Sequence, residues 1–119
     1  MKKIVAWVDR LEKKSLIEAN KNNYSIYFAK SKDDFVKKID SDTFPIIAIK
    51  KAKFLNVVTK IVRAFPHIRF YAMMRLDFKC TTVNELSFIV DEPNVSDGER
   101  SHYMASELIS LFEDQYISP

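Results

Sequence analysis

Residues 44–53, FPIIAIKKAK, decide the fold: an uncharged run from Phe44 to Ile49 leads straight into Lys50, Lys51 and Lys53. A short stretch that is apolar on both faces, closed by charge and followed by a helical pattern, predicts the middle strand of a parallel sheet, which helices cover on both sides. In such sheets ligands and chemistry gather at the C-terminal ends of the strands. Here that edge carries three lysines and no acid.

Downstream, Phe54, Leu55, Val57, Val58, Ile61, Val62 and Phe65 recur at helical spacing until Pro66 stops the helix. Ile68 to Met74 predicts a fourth strand and Leu86 to Val90 a fifth. Only about eleven residues, Arg75 to Glu85, separate the two, which is short for a helical crossover. The helix there is therefore expected to be short or missing, and a hairpin between strands four and five stays open. Ser96, with Glu99 in capping-box register, opens the last helix, whose buried face is expected to hold Met104, Leu108, Leu111, Phe112 and Tyr116.

Upstream, Lys3 to Val8 predicts the first strand, and the helix from about Leu11 to Asn20 is expected to bury Leu16, Ile17 and Ala19. Tyr24 to Ala29 predicts the second strand. Ser31, with Asp34 three residues on, caps a helix that buries Phe35, Val36 and Ile39. Strand and helix alternate nearly throughout. The expectation is one α/β domain over residues 1–119: three αβα layers around a five-stranded, mostly parallel sheet.

A chain of 119 residues can bury a sufficient core without metal or disulfide. No apolar run approaches the ~20 residues of a bilayer span, and Asp9 and Arg10 end the signal-like start MKKIVAWVDR too early for a leader. The single cysteine, Cys80, cannot form an internal bridge, so the cytoplasm is the expected compartment. The lone glycine, Gly98, argues against the glycine-rich loops that cradle nucleotide phosphates. Net charge is +3 but unevenly spread. Phe44 to Lys79 holds eight cations and one acid, a balance of +7, whereas Cys80 to Pro119 holds eight acids and one cation, a balance of −7.

The first strand ending in an acid, the middle strand near residue 45 and the fifth strand ending near Pro93 together resemble the receiver domain of response regulators. The resemblance covers the whole chain through element order and spacing. It implies the flavodoxin-like strand order 2-1-3-4-5. It also implies a phosphoacceptor aspartate after strand three, an acidic pair after strand one that holds Mg²⁺, a hydroxyl residue at the end of strand four, and a lysine before the proline after strand five. Carried onto this chain, Asp9 matches the first acid, but Arg10 stands second, where a cation opposes Mg²⁺ binding. Lys50 stands at or beside the phosphoacceptor, Met73 or Met74 replaces the hydroxyl residue, and Glu92 precedes Pro93. The resemblance is therefore to a degenerate, phosphorylation-independent pseudo-receiver. Its vestigial pocket would comprise Asp9, Arg10, Lys50, Met73 and Glu92, with Lys50 pairing with Asp9, Glu92 or both.

Lys50, Lys51, Lys53, Lys60 and Arg63 form a basic stripe along the third helix and its approach, able to meet nucleic-acid phosphate or an acidic protein surface. Solvated charge is the ordinary alternative. His67 and His102 have no ligand-spaced neighbours, and nothing orients Cys80 toward His67, so no metal site, cofactor or catalytic residue is expected. An enzyme would need a polar pocket of Asp9, Arg10, Lys50 and Glu92 with a lysine nucleophile. The leading expectation is a non-enzymatic signal-transduction module that binds another protein or a second copy of itself, away from membranes. The alternative is a nucleic-acid-binding or anionic-surface-binding domain using residues 50–63.

Overall fold

The computed structural model describes residues 3–49, 51, 53–74, 86–89 and 97–117, with backbone alone at 86–89 and 97–98. Its elements run β1 (Lys3–Trp7), α1 (Arg10–Ala19), β2 (Ile26–Phe28), α2 (Lys32–Lys38), β3 (Thr43–Ile49), α3 (Phe54–Ala64), β4 (Phe70–Met74), β5 (Leu86–Ile89) and α4 (Asp97–Tyr116).

All seven residues of β3 are buried, because β3 lies between β1 and β4 and is covered on both faces. Pro45 has no amide hydrogen to give to a ladder. It sits where β3 is paired with β1, before the register with β4 begins at Ile46. Four strands in the order β2-β1-β3-β4, all parallel, make the body of the sheet. The four-residue β5 runs parallel along the outer side of β4, and its register shifts between Phe70 and Tyr71. The expected fifth strand is thus a short edge piece on a four-stranded body, and the hairpin alternative is corrected to a parallel pairing. The segment expected to hold a shortened or missing helix, 75–85, lies outside the described residues.

Side chains alternate across the strands with period two. Val5, Ile47, Ile49, Phe70, Ala72 and Met74 pack with Phe35 of α2 and with Val58, Ile61 and Val62 of α3. Ile4, Ala6, Phe44, Ile46, Tyr71 and Met73 pack with Leu16 of α1 and with Met104, Ala105, Leu108, Ile109 and Phe112 of α4. Two separate cores follow, one on each side of the sheet. Helices α2 and α3 cover one face, α1 and α4 the other.

Local chemistry sets the ends of the elements. The Ser31 hydroxyl accepts the Asp34 amide at 3.1 Å, and α2 carries acids in its first turn and lysines in its last, which suits the helix dipole. The amide of Phe65 turns back to Val62 and that of Ile68 to Phe65, so the turn around Pro66 delays β4 from the expected Ile68 to Phe70. β2 is likewise shorter than the expected Tyr24 to Ala29. The Asn20 side chain bonds both the amide and the carbonyl of Tyr24 at 2.9 Å and holds that residue in the connection. Asn23 there takes a left-handed backbone (φ 55°), which asparagine tolerates better than most residues.

Two helix faces differ from expectation. In α1 the inward line is Glu12, Ser15 and Leu16, so Ile17, one residue further round, points out and is 55% exposed. In α4 the inward line is Arg100, Ser101, Met104, Ala105, Leu108, Ile109 and Phe112, leaving Leu111 and Tyr116 half-buried. The expected cap at Ser96 lies outside the described residues.

Candidate functional site

In a parallel sheet of this order the chain reverses its winding between β1 and β3, and the crevice beyond their C-terminal ends is the natural place for a ligand. Trp7, the last residue of β1, enters that region from the α2–α3 side. Its ring lies 6.0 Å from Phe35 and 5.4 Å from Phe54, so three aromatic side chains cluster beside the switch point on that face. Sequence reasoning placed Trp7 in a strand and gave it no role. The signal was present: the chain's one tryptophan ends the first strand, immediately before the Val8–Asp9 exit.

Asp9 is half-buried and precedes α1, where its carbonyl accepts the Lys13 amide at 2.8 Å; its side chain makes no capping bond. Arg10 is exposed as the first residue of α1. Met73 is 1% exposed and belongs to the α1–α4 core, and Met74 faces the opposite core, so both are packing residues rather than parts of an open pocket. Lys50 and Glu92 lie outside the described residues, as does any pairing between them and Asp9; Cys80 lies there too. The structure therefore shows Asp9 and Arg10 together at the strand exit and takes Met73 away into the interior.

On the α1–α4 side, the same end of the sheet carries a buried polar cluster. Arg100 is 2% exposed, and its Nε donates to the Met74 carbonyl at 2.9 Å. The Met74 amide donates to Met104 Sδ at 3.2 Å, so α4 side chains take both backbone groups at the end of β4. The Ser101 hydroxyl donates to Ser15 Oγ at 2.7 Å across the helix pair. Glu12, 4% exposed, lies one turn before Ser15, with its carboxylate oxygens out of contact with solvent. The clue in the sequence was phase. Glu12, Ser15, Leu16 and Ala19 share one helical line, as do Arg100, Met104 and Leu108, so the polar members were carried inward by their apolar neighbours.

The basic stripe is real as a surface. Lys51, Lys53, Lys60 and Arg63 are exposed, Asn56 is exposed on the same line, and Val58, Ile61 and Val62 face inward. Lys32, Lys37 and Lys38 of α2 are exposed on the same layer. Phe70 and Tyr71 are buried and Phe65 is half-buried, so these rings serve packing and not base stacking. His67 is exposed in the turn before β4.

Two tyrosine–carboxylate contacts tie strands to helices. Tyr24 donates to Glu113 of α4, beside Asn22, which donates to the same oxygen at 2.8 Å. The Glu113 contact, followed by burial, raises the pKa of the Tyr24 hydroxyl. Asp34 accepts the Lys30 amide at 2.9 Å and the Tyr27 hydroxyl at 2.9 Å, and these bonds, the amide first, hold its carboxyl below the usual range. A carboxyl depressed in the folded state stabilises above its unfolded value, and that contribution is lost as pH falls through the folded value. Asp34→Asn is therefore expected to be less stable than the wild type near neutrality and to converge with it only as pH falls through the lowered folded value of Asp34. Thermal midpoints measured across the acid range check this.

Among the described residues, no group of three or more His, Cys, Asp or Glu side chains is placed to hold a metal ion, and no helix is long and apolar enough to cross a membrane. No family model, no curated protein and no solved structure matches this chain.

Proposed function

We propose that this chain is a non-catalytic regulatory module, receiver-like in layout, that acts by docking on another protein and takes no phosphoryl group on an aspartate. The carrying observation is Trp7 at the C-terminal end of β1 in contact with the rings of Phe35 and Phe54, an apolar cluster beside the place where a phosphoryl-accepting relative would keep a polar pocket. Arg10 beside Asp9 supports the same reading, since a cation in the second acidic place opposes a divalent metal. So does the strand order with one helix pair on each face.

Incubation with acetyl phosphate and Mg²⁺ is expected to leave the intact mass and the Trp7 fluorescence unchanged. Addition of one phosphoryl group, or a metal-dependent change in that fluorescence, would overturn the reading. The docking half is tested by co-purification from the native cell followed by reconstitution with the purified partner.

A second reading has its own observation, the exposed line of Asn56, Lys60 and Arg63 on α3 with Lys53 at its N-cap and Lys51 before it. In that reading the line binds nucleic-acid phosphate. Four neutralised phosphates would weaken binding on the order of 100-fold between 50 and 200 mM salt. The protein-docking reading expects no retained nucleic acid at physiological salt.

A further inference from the structure

Two helices on opposite faces of the sheet carry opposite charge at the same interval. Lys53 at the N-cap of α3 and Lys60 within it are exposed and seven residues apart; on α4, Glu107 and Asp114 are exposed and seven residues apart. At 1.5 Å per residue each pair spans about 10.5 Å along its helix. Among the described residues, none of the four makes an ion pair within its own chain. Because α3 packs on one core and α4 on the other, the two stripes cannot meet inside one molecule.

We propose that the α3 stripe of one copy receives the α4 stripe of a second copy, Lys53 against Asp114 and Lys60 against Glu107, in a head-to-tail contact. The inference rests on the protein-docking function and names a second copy of this chain as the partner. Antiparallel crossing is the favoured sense, because it sets the positive N-terminal end of α3 against the negative C-terminal end of α4. Nucleic acid would use the basic stripe and leave the acidic one idle, whereas a second copy uses both. A contact between two different patches is not closed by a two-fold axis, so each added copy exposes a fresh stripe of each sign.

Sedimentation velocity of the full chain tests this. At about 50 mM salt the sedimentation coefficient is expected to rise with concentration, and at about 0.5 M salt, where screening acts within a few ångströms, the rise is lost. Lys53→Glu with Lys60→Glu, and separately Glu107→Lys with Asp114→Lys, are each expected to weaken association at least about tenfold. All four positions are exposed, so both variants keep the fold, which circular dichroism verifies. An equimolar mixture of the two variants is expected to associate again, since the acidic α3 of one then faces the basic α4 of the other.

A wild type that stays monomeric at low salt, or a mixture that does, overturns the inference. A monomeric wild type that still docks on a different protein overturns it while leaving the proposed function standing. Retention of mixed nucleic acid, abolished by Lys53→Glu with Lys60→Glu in the absence of self-association, assigns the stripe to the second reading and overturns it as well.

Discussion

Phe44→Ala is expected to remove roughly 3–5 kcal/mol of unfolding free energy, a large share of the ~5–15 kcal/mol that holds a domain of this kind together. Phe44 has no solvent exposure. Its ring stacks on Tyr71 at 4.0 Å and 11° and meets the rings of Phe112 and Tyr116 edge-on at 5.5 and 6.1 Å. One truncation therefore opens a cavity where β3, β4 and α4 meet, and the surrounding rings cannot close it without leaving their own contacts. Chemical denaturation with a fitted slope is the appropriate measurement, since a fall in midpoint at constant slope isolates stability. Ile17→Ala is the matched control. Ile17 is large and apolar but faces solvent, so its loss is expected within about 0.5 kcal/mol of the wild type.

Arg100→Met is expected to cost about 2–3 kcal/mol although methionine fills much of the same volume. The charged donor to the Met74 carbonyl disappears, and a hydrogen bond from a charged group contributes about 1.5–3 kcal/mol. The substitution also leaves the Glu12 carboxylate buried with one cation fewer on the facing helix. The Ser15–Ser101 hydrogen bond of 2.7 Å joins the α1 turn that follows Glu12 to the α4 turn that carries Arg100. Adding Glu12→Gln to Arg100→Met is accordingly expected to recover about 1 kcal/mol, because removing both charges is cheaper than stranding one. A double-mutant cycle by urea unfolding reads the coupling. Additive losses would mean that the two side chains act separately. Arg100→Lys is expected to recover only part, because an ammonium lacks the planar, laterally placed donor that reaches the strand end.

Phe44 and Arg100 differ in how far the sequence reveals their places. Phe44 was legible as core because it sits in an apolar run closed by lysines, and such a run has only one stable place in an alternating chain. Arg100 was not legible. It stood as the lone cation in an acidic half, and only the phase of α4 turns it inward. Ile17, expected inward, faces solvent for the same reason: neighbouring residues on a helix differ by about 100°, and composition does not say which line faces the sheet. Trp7 was placed correctly in its strand, but its neighbours Phe35 and Phe54 lie 28 and 47 positions away, beyond the reach of any local pattern.

The pocket expected by resemblance shows the same limit. Asp9 and Arg10 are adjacent in sequence and stay together at the strand exit, whereas Met73, assigned to the pocket by position alone, is drawn into the core between the sheet and α4. The basic stripe was legible because helical spacing along a single element is a local property. That α4 presents acids at the same interval on the far side of the sheet is a relation between elements.

By itself the sequence determined the α/β class, the alternation of elements, the buried middle strand and the bipolar charge, since each follows from hydrophobic period and residue type within a few turns of chain. Tertiary structure alone decided the parallel edge pairing of β5, the inward Glu12 and Arg100, the outward Ile17 and the aromatic cluster of Trp7, Phe35 and Phe54. Those outcomes depend on which surfaces meet when distant segments compete for one interior, and no local pattern records that competition.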